Sequence, residues 1–259
     1  MTRYAAPYLP SNNVDNFVLP KNILRSALGP TFVLVEYLVV AGGGGSGGTQ
    51  NALTYGGDAG QVLSGNLTFN QASVTVGSGG ANGPGWSTTV GSQKGGNSSL
   101  GSVSAVGGNG SPNTLFSGGS FSALGQGGQG RSATAAQNLT QAGVAAGVTS
   151  SITGSSVRYG DGHSYFNLDQ NPPVHAANLG HGGWGVWSNA NRAGGAGSSG
   201  VVIVRYANTF ADLLIGTGLQ YRNSAGSTAT GTGTRVAPSY SPSGFKVYEF
   251  RAGTGSIQF

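Results

Sequence analysis

The sequence predicts an all-β protein: β-sandwich-like strands framing packed, polyglycine II-like glycine-rich loops, with a short N-terminal helix and a C-terminal β-hairpin. Three observations carry this prediction. Fifty of the 259 residues are glycine, about 19% against a usual share of roughly 7%. Only 7% are charged, where ordinary domains have roughly 25%. Yet 37% are hydrophobic, and these fall in strand-sized clusters. Each glycine costs a helix about 1 kcal/mol relative to alanine, which argues against a helical body. Low charge with ample apolar content argues against intrinsic disorder, and collagen is excluded because no strict Gly-X-Y period runs through the chain.

Residues 1–30 read as an attachment segment. Pro20 suits a helix start and Gly29 a helix end, and Ile23, Leu24, Ala27 and Leu28 share one face between them. Two helical turns are not stable alone in water, so this face, with Phe17, is a candidate docking surface, on the protein's own body or on a larger assembly.

Residues 31–206 form the glycine-rich domain. It opens with a β-branched and aromatic run, Phe32 to Val40, and closes with another, Val201 to Tyr206. Shorter strand candidates lie between them at 61–63, 67–69, 72–76, 102–106 and 156–159, punctuated by glycine clusters at irregular spacing. Irregular spacing excludes a simple solenoid. Extended chains without Cβ atoms can pack side by side, and their free N–H and C=O groups can then bond neighbouring segments. Ordering a residue costs roughly 1–2 kcal/mol, so glycine is a poor choice unless close packing demands it. Packed segments are expected rather than loose loops.

Residues 207–259 form a C-terminal β module. Its last stretch, Ser243 to Phe259, alternates and reads as a hairpin with Phe245, Val247, Glu249 and Arg251 on one side. That hairpin is expected to complete a sheet, in its own body or in a neighbour's.

The order of blocks Val35-Glu36-Tyr37-Leu38-Val39-Val40-Ala41-Gly42-Gly43-Gly44-Gly45, then Gly60 to Thr68, Val74 to Gly80, Gly95 to Gly101, Ser150 to Val157 and Ala196 to Tyr206 resembles the glycine-rich domain of bacteriophage tail and virion structural proteins. The resemblance spans about residues 33–206. It implies a virion protein that works by binding, most readily a short tail fibre or tip adhesin, homotrimeric and attached to other virion proteins. The partner at its far side would be a host-surface glycan or protein. The architecture is also similar to the tail-fibre tip adhesins of some T-even-like phages, whose polyglycine layers carry host-contacting loops. A capsid or tail decoration protein is the alternative, and an ice-binding protein a third. The lack of a short regular repeat counts against the last.

Residues 160–192 depart from the family pattern, holding the densest aromatic and ionisable stretch in the chain. His163, Tyr165, Phe166, His175, His181, Trp184 and Trp187 form the candidate binding surface, since aromatics anchor interfaces and sugar platforms. The other reading is a local core that glycine segments cannot supply. With Asp161 and Asp169, the three histidines would offer metal ligands, or one histidine per chain would do so across a trimer axis. No pair has structural-zinc spacing, and neither metal nor cofactor is expected.

Enzyme chemistry is not expected. Gly42-x-Gly44-x-x-Gly47 follows a strand, as a dinucleotide fingerprint does, but no helix can follow it. Gly44-x-Ser46-x-Gly48 matches a nucleophile elbow only formally. Seven scattered acids argue against paired-carboxylate glycoside hydrolysis. The net charge is +5, but without a basic run it predicts no nucleic-acid binding. No apolar stretch reaches membrane-spanning length and no secretory signal core is evident, so a soluble protein located in the virion is expected. There are no cysteines to form disulfides.

Overall fold

The computed structural model describes residues 31–48, 52–54, 56–84, 92–111, 144–145, 147–163, 165–167, 172–188 and 192–259. The chain divides into two units, Met1–Thr31 and Phe32–Phe259, and the fold below is that of the second. The helix expected at 20–29, with Phe17, Ile23, Leu24 and Leu28, lies outside the described residues.

The described residues are all-β, with no helix among them. The strands are β1 (Val33–Val40), β2 (Ala52–Leu53), β3 (Val62–Phe69), β4 (Gln71–Val76), β5 (Ser98–Leu100), β6 (Val103–Ala105), β7 (Val144–Ala145), β8 (Val148–Ser150) and β9 (Val157–Tyr159). They continue as β10 (Gly162–His163), β11 (Tyr165–Asn167), β12 (Gly185–Ser188), β13 (Val201–Ala207), β14 (Leu214–Ile215), β15 (Leu219–Arg222), β16 (Thr228–Thr230), β17 (Thr234–Arg235) and β18 (Phe245–Gln258).

The expected strands at the two ends of the glycine-rich domain do not belong to opposed sheets of a sandwich. β1 and β13 pair directly, with Glu36 opposite Arg205 and Val40 opposite Val201. They belong to one antiparallel sheet of order β3-β1-β13-β18-β4-β5-β6, with β14 and β15 also paired to β18, β17 beyond β14 and β16 beyond β15. This sheet is nearly closed: β1 comes to lie against β5 and β6, and β13 against β4 and β5. Strand alternation gives it two apolar faces. Inside the curl lie Val33, Val35 and Val39 of β1, Val202, Val204 and Tyr206 of β13, Val74 of β4, and Tyr248 and Phe250 of β18. On the outer face Leu38, Val40, Ile203 and Val247 pack against Ile152 and Tyr159.

The C-terminal segment is not a hairpin. It is a single fourteen-residue strand, β18. Its residues 245–250 pair with β13 and its residues 253–258 pair with β4. Phe250 has Val202 on one edge and Tyr221 on the other, while Gly253 has Leu219 and Val76. β18 therefore serves β13 and then β4 along one edge, with β15 on the other. The Gly-Thr-Gly sequence that signals a turn bends the strand without reversing it. Gly253 has φ +87°, and the register shifts beside it, between Gln220 and Tyr221, which is the bulge geometry that increases local twist.

Candidate functional site

Six glycine-rich segments are direct continuations of sheet strands, and the strand registers place all six at the same end of the sheet. Residues 41–48 continue β1, 77–84 continue β4 and 106–111 continue β6, while 56–61 lead into β3, 92–97 into β5 and 192–200 into β13. A seventh, 180–184, joins them through the Gly60 N–H, which donates to the Gly180 carbonyl.

These segments are held by main-chain hydrogen bonds of 2.8 to 3.3 Å, with 41–48 at the centre. Donors along the central segment turn to a new neighbour at each residue and return every third one. Ala41 and Gly44 donate to Gln61 and Asp58, Gly42 and Gly45 to Gly96 and Gln93, and Gly43 and Ser46 to Ser198 and Gly195. Its carbonyls accept from the other three segments: Gly42 and Gly45 from Gly108 and Ser111, Gly43 and Ser46 from Gly80 and Gly83, and Gly44 from Gly183. The six outer segments are also bonded to one another around the ring. Gly57 donates to Gly183, Ser198 to His181, Gly197 to Gly80, Gln93 to Ala81, Gly95 to Gly108 and Asp58 to Asn109. Six around one, with a threefold repeat along each bonded chain, is hexagonal packing.

Glycine is required there for space. A Cβ added to Gly42, Gly43, Gly44 or Gly45 would fall under 3.0 Å from the main-chain carbonyl of Ser78, His181, Asn109 or Ala81 respectively. Ser46 is the exception at the centre and is fully buried. Its hydroxyl donates to the Trp184 carbonyl and accepts from the Gly195 N–H at 2.9 Å. Nearby, Thr54 Oγ1 donates to the Gly47 carbonyl and accepts from the Val186 N–H at 3.0 Å, and the Gly47 N–H donates to Ser111 Oγ at 2.7 Å. The formal nucleophile motif around Ser46 is thus a main-chain bridge.

Against the 180–184 segment the structure gathers the three histidines and Trp184. The His163 ring lies 4.2 Å from His175 and 4.2 Å from Trp184, between centroids, and His181 lies 5.8 Å from His163 and 5.5 Å from His175. His163 and His181 are buried, and Trp184 is half-buried. His163 Nδ1 is 2.9 Å from the Gly182 carbonyl, so that nitrogen carries the proton. His181 Nδ1 accepts from the Asp161 N–H at 2.9 Å, and the His181 N–H donates to Ser198 Oγ. Asp161 ties this corner down, its carboxylate accepting from the Gly147 N–H at 2.7 Å and from Arg158 Nε at 2.5 Å.

Burial and mutual repulsion hold the cluster neutral. His163 is lowered to about 3, first by desolvation and then by His175. His175 is lowered to about 4, first by desolvation and then by His181. His181 is lowered by desolvation, with Asp161 opposing. Among the described residues no group of three or more histidine and acidic side chains is arranged to hold a metal. Tyr165 and Phe166 lie in β11, whose backbone pairs in parallel with the β12 residues Gly185 and Val186, and Asn167 pairs with Trp187. Asp169 lies outside the described residues. The structure thus brings His163, His175, His181 and Trp184 together, with His163 and His181 buried and His175 and Trp184 half-buried. Sequence reasoning did not single out Ser46 as the bridge at the bundle axis. Its one signal is that it interrupts the Gly42–Gly48 run.

The fold and site together define an all-β domain whose distinctive part is a main-chain-bonded glycine bundle at one end of a curled sheet. The profile of the glycine-rich domain family matches residues 29–207, and the chain belongs to that family. No curated protein and no solved structure matches it.

Proposed function

We propose that this chain is a non-enzymatic structural protein of a bacteriophage virion, acting as a short tail fibre or fibre-tip adhesin. In this reading the bonded glycine segments are a polyglycine II-type bundle, residues 1–30 dock on other virion proteins, and the protein assembles as a homotrimer at the tail. The observation that supports it is the common exit of strand-anchored segments from one sheet end. Main-chain bonding fixes such segments without using their side chains, so the connections between them, apart from the bridging Thr54 and the buried Val186, can carry the side chains that recognise a host. The resemblance of residues 33–206 to phage tail and virion proteins points the same way. Host recognition would use a surface glycan or protein.

Gold labelling of the protein on intact virions, read by electron microscopy, tests the proposal. Label at the tail tips is the expected result. Label over the shell would overturn the adhesin role in favour of decoration, and virions without label would overturn the virion assignment.

A further inference from the structure

Away from the glycine bundle, a cleft of about 550 Å³ opens between the turn after β8 and the segment before β18. Its lining carries hydroxyls from Thr153, Ser155, Ser224 and Ser241, the Tyr240 ring and the Arg222 guanidinium. Concave sites with a few convergent polar groups are where small ligands bind.

Arg222 is held in place without being neutralised. Its guanidinium carbon lies 4.4 Å over the Tyr240 ring centroid, and Nη1 donates to the Ser239 carbonyl at 3.2 Å. The Ser239 hydroxyl in turn donates to the Arg222 carbonyl at 2.5 Å, so the two chain segments are clamped together. A guanidinium has five N–H donors, and among the described residues Arg222 makes no ion pair. The nearby carboxylate, Glu249, is already engaged: Oε2 accepts from Tyr240 Oη at 2.5 Å and Oε1 from Arg251 Nε at 2.8 Å. The cleft therefore presents one oriented, unpaired cation among hydroxyl groups. Gly226, at the tip of the turn after β15, keeps the guanidinium's place open, since a Cβ there would stand 3.0 Å from Arg222 Nη2.

We infer that this cleft is a binding site for an acidic sugar, a hydroxylated ring bearing a carboxylate, with Arg222 taking the carboxylate and the surrounding hydroxyls taking those of the ring. The planar guanidinium fork matches a carboxylate in a two-pronged geometry, and stacking on Tyr240 fixes its plane. Serine and threonine hydroxyls both donate and accept, as sugar hydroxyls do. The inference is independent of the virion reading, because the cleft's chemistry does not depend on where the protein resides.

The test is an amide NMR titration of the full chain with galacturonate, with galactose as the same ring type lacking the carboxylate, and with inorganic phosphate. Galacturonate is expected to shift the Ser155, Ser224 and Ser241 amides saturably, and galactose to bind at least about tenfold more weakly. Arg222→Gln should weaken galacturonate binding about tenfold or more, while Arg235→Gln leaves it unchanged. If Arg222→Gln fails to fold, Arg222→Lys replaces it: the charge remains, the fork is lost, and binding should still fall. Equal binding of galactose would remove the carboxylate from recognition and overturn the inference. Phosphate binding as tight as galacturonate would reduce the cleft to a plain anion site and overturn the sugar assignment. No shift with any of the three, or unchanged binding in a folded Arg222 variant, would overturn it outright.

Discussion

The curled sheet and the glycine bundle share the same chain segments, yet they cohere by opposite means. In the sheet, β1 and β13 bury valine, leucine and isoleucine on two faces, and stability scales with apolar area removed from water. A few residues further along the same chains, in 41–48, the interior contains main chain and little else. Each net hydrogen bond contributes only about 0.5–1.5 kcal/mol, against an ordering cost of roughly 1–2 kcal/mol per residue. The bundle must therefore be anchored. Six of its seven segments are held at one end by strands that the apolar core has already ordered. The difference concerns tolerance: a side-chain core can repack around a change in volume, whereas a main-chain core has nothing that can move aside.

The sharpest way to break this comparison is a small change of side-chain volume at equivalent depth in each region. In the sheet, Val39→Ala leaves a cavity and is expected to cost about 2 kcal/mol. In the bundle, Gly44→Ala pushes a Cβ into the Asn109 carbonyl and its neighbour Gly108. It is expected to cost more than about 4 kcal/mol, beyond ordinary overpacking, or to prevent folding. Urea unfolding midpoints of the two variants check this, and a Gly44→Ala protein as stable as Val39→Ala would end the distinction.

Ser46→Ala comes next. It removes the hydroxyl that serves both the Trp184 carbonyl and the Gly195 N–H without adding bulk. The Gly195 N–H and the Trp184 carbonyl stay bonded to each other at 2.8 Å, so what is lost is the two hydroxyl bonds, about 0.5–1.5 kcal/mol each, and a loss near about 2 kcal/mol is expected by the same denaturation measurement. A loss below half a kcal/mol would mean that water replaces the hydroxyl and that the axis is open.

Acid should act on the bundle through its flank. His163 and His175 have folded-state values lowered to about 3 and about 4, below the unfolded value of 6.5. The unfolded chain therefore binds more protons, so stability is full above pH 6.5 and falls as pH drops from there towards 4 and 3. The groups facing the cluster are Asp161, which favours protonation, and Arg158, which opposes it at His181. For His163 alone a loss of about 2 kcal/mol by about pH 5 is expected, read as a falling melting temperature. His163→Phe should melt with a shallower slope over that window. An unchanged slope would mean that the ring is not held neutral.

Much of the sheet was legible because its signals are local. β-Branched runs mark β1 and β13, and alternation marks β4 and the parity of β18. What sequence could not show was pairing at long range. Ala252-Gly253-Thr254-Gly255 carries a turn signal, and only the presence of two successive partners, β13 and β4, makes it one bent strand. The bundle's threefold repeat was equally hidden. The partners of Gly43 lie at Gly80 and Ser198, and each position asks only that no Cβ point at a neighbour, a condition that leaves irregular glycine spacing behind. The three histidines sit within nineteen residues, so their shared neighbourhood was readable. Their burial was not, because it depends on the segments packed against them. Arg222 and Tyr240 meet across a turn with no pattern connecting them.

The mildest prediction separates two uses of glycine. Gly233 has φ +78° and nothing within 4 Å of an added Cβ, so it supplies conformational freedom and no room. Gly44 has an ordinary φ and supplies room only. Gly233→Ala should cost about 1 kcal/mol, the strain of a Cβ in the left-handed region. Gly233→Asn should recover part of that loss, because asparagine tolerates this conformation. The same asparagine at Gly44 can recover nothing, since the obstacle there is a carbonyl oxygen rather than a torsion angle. Melting temperatures of the four variants resolve it. If Gly44→Asn were less damaging than Gly44→Ala, the bundle would be yielding to side chains, and the contrast between the two regions would become one of degree.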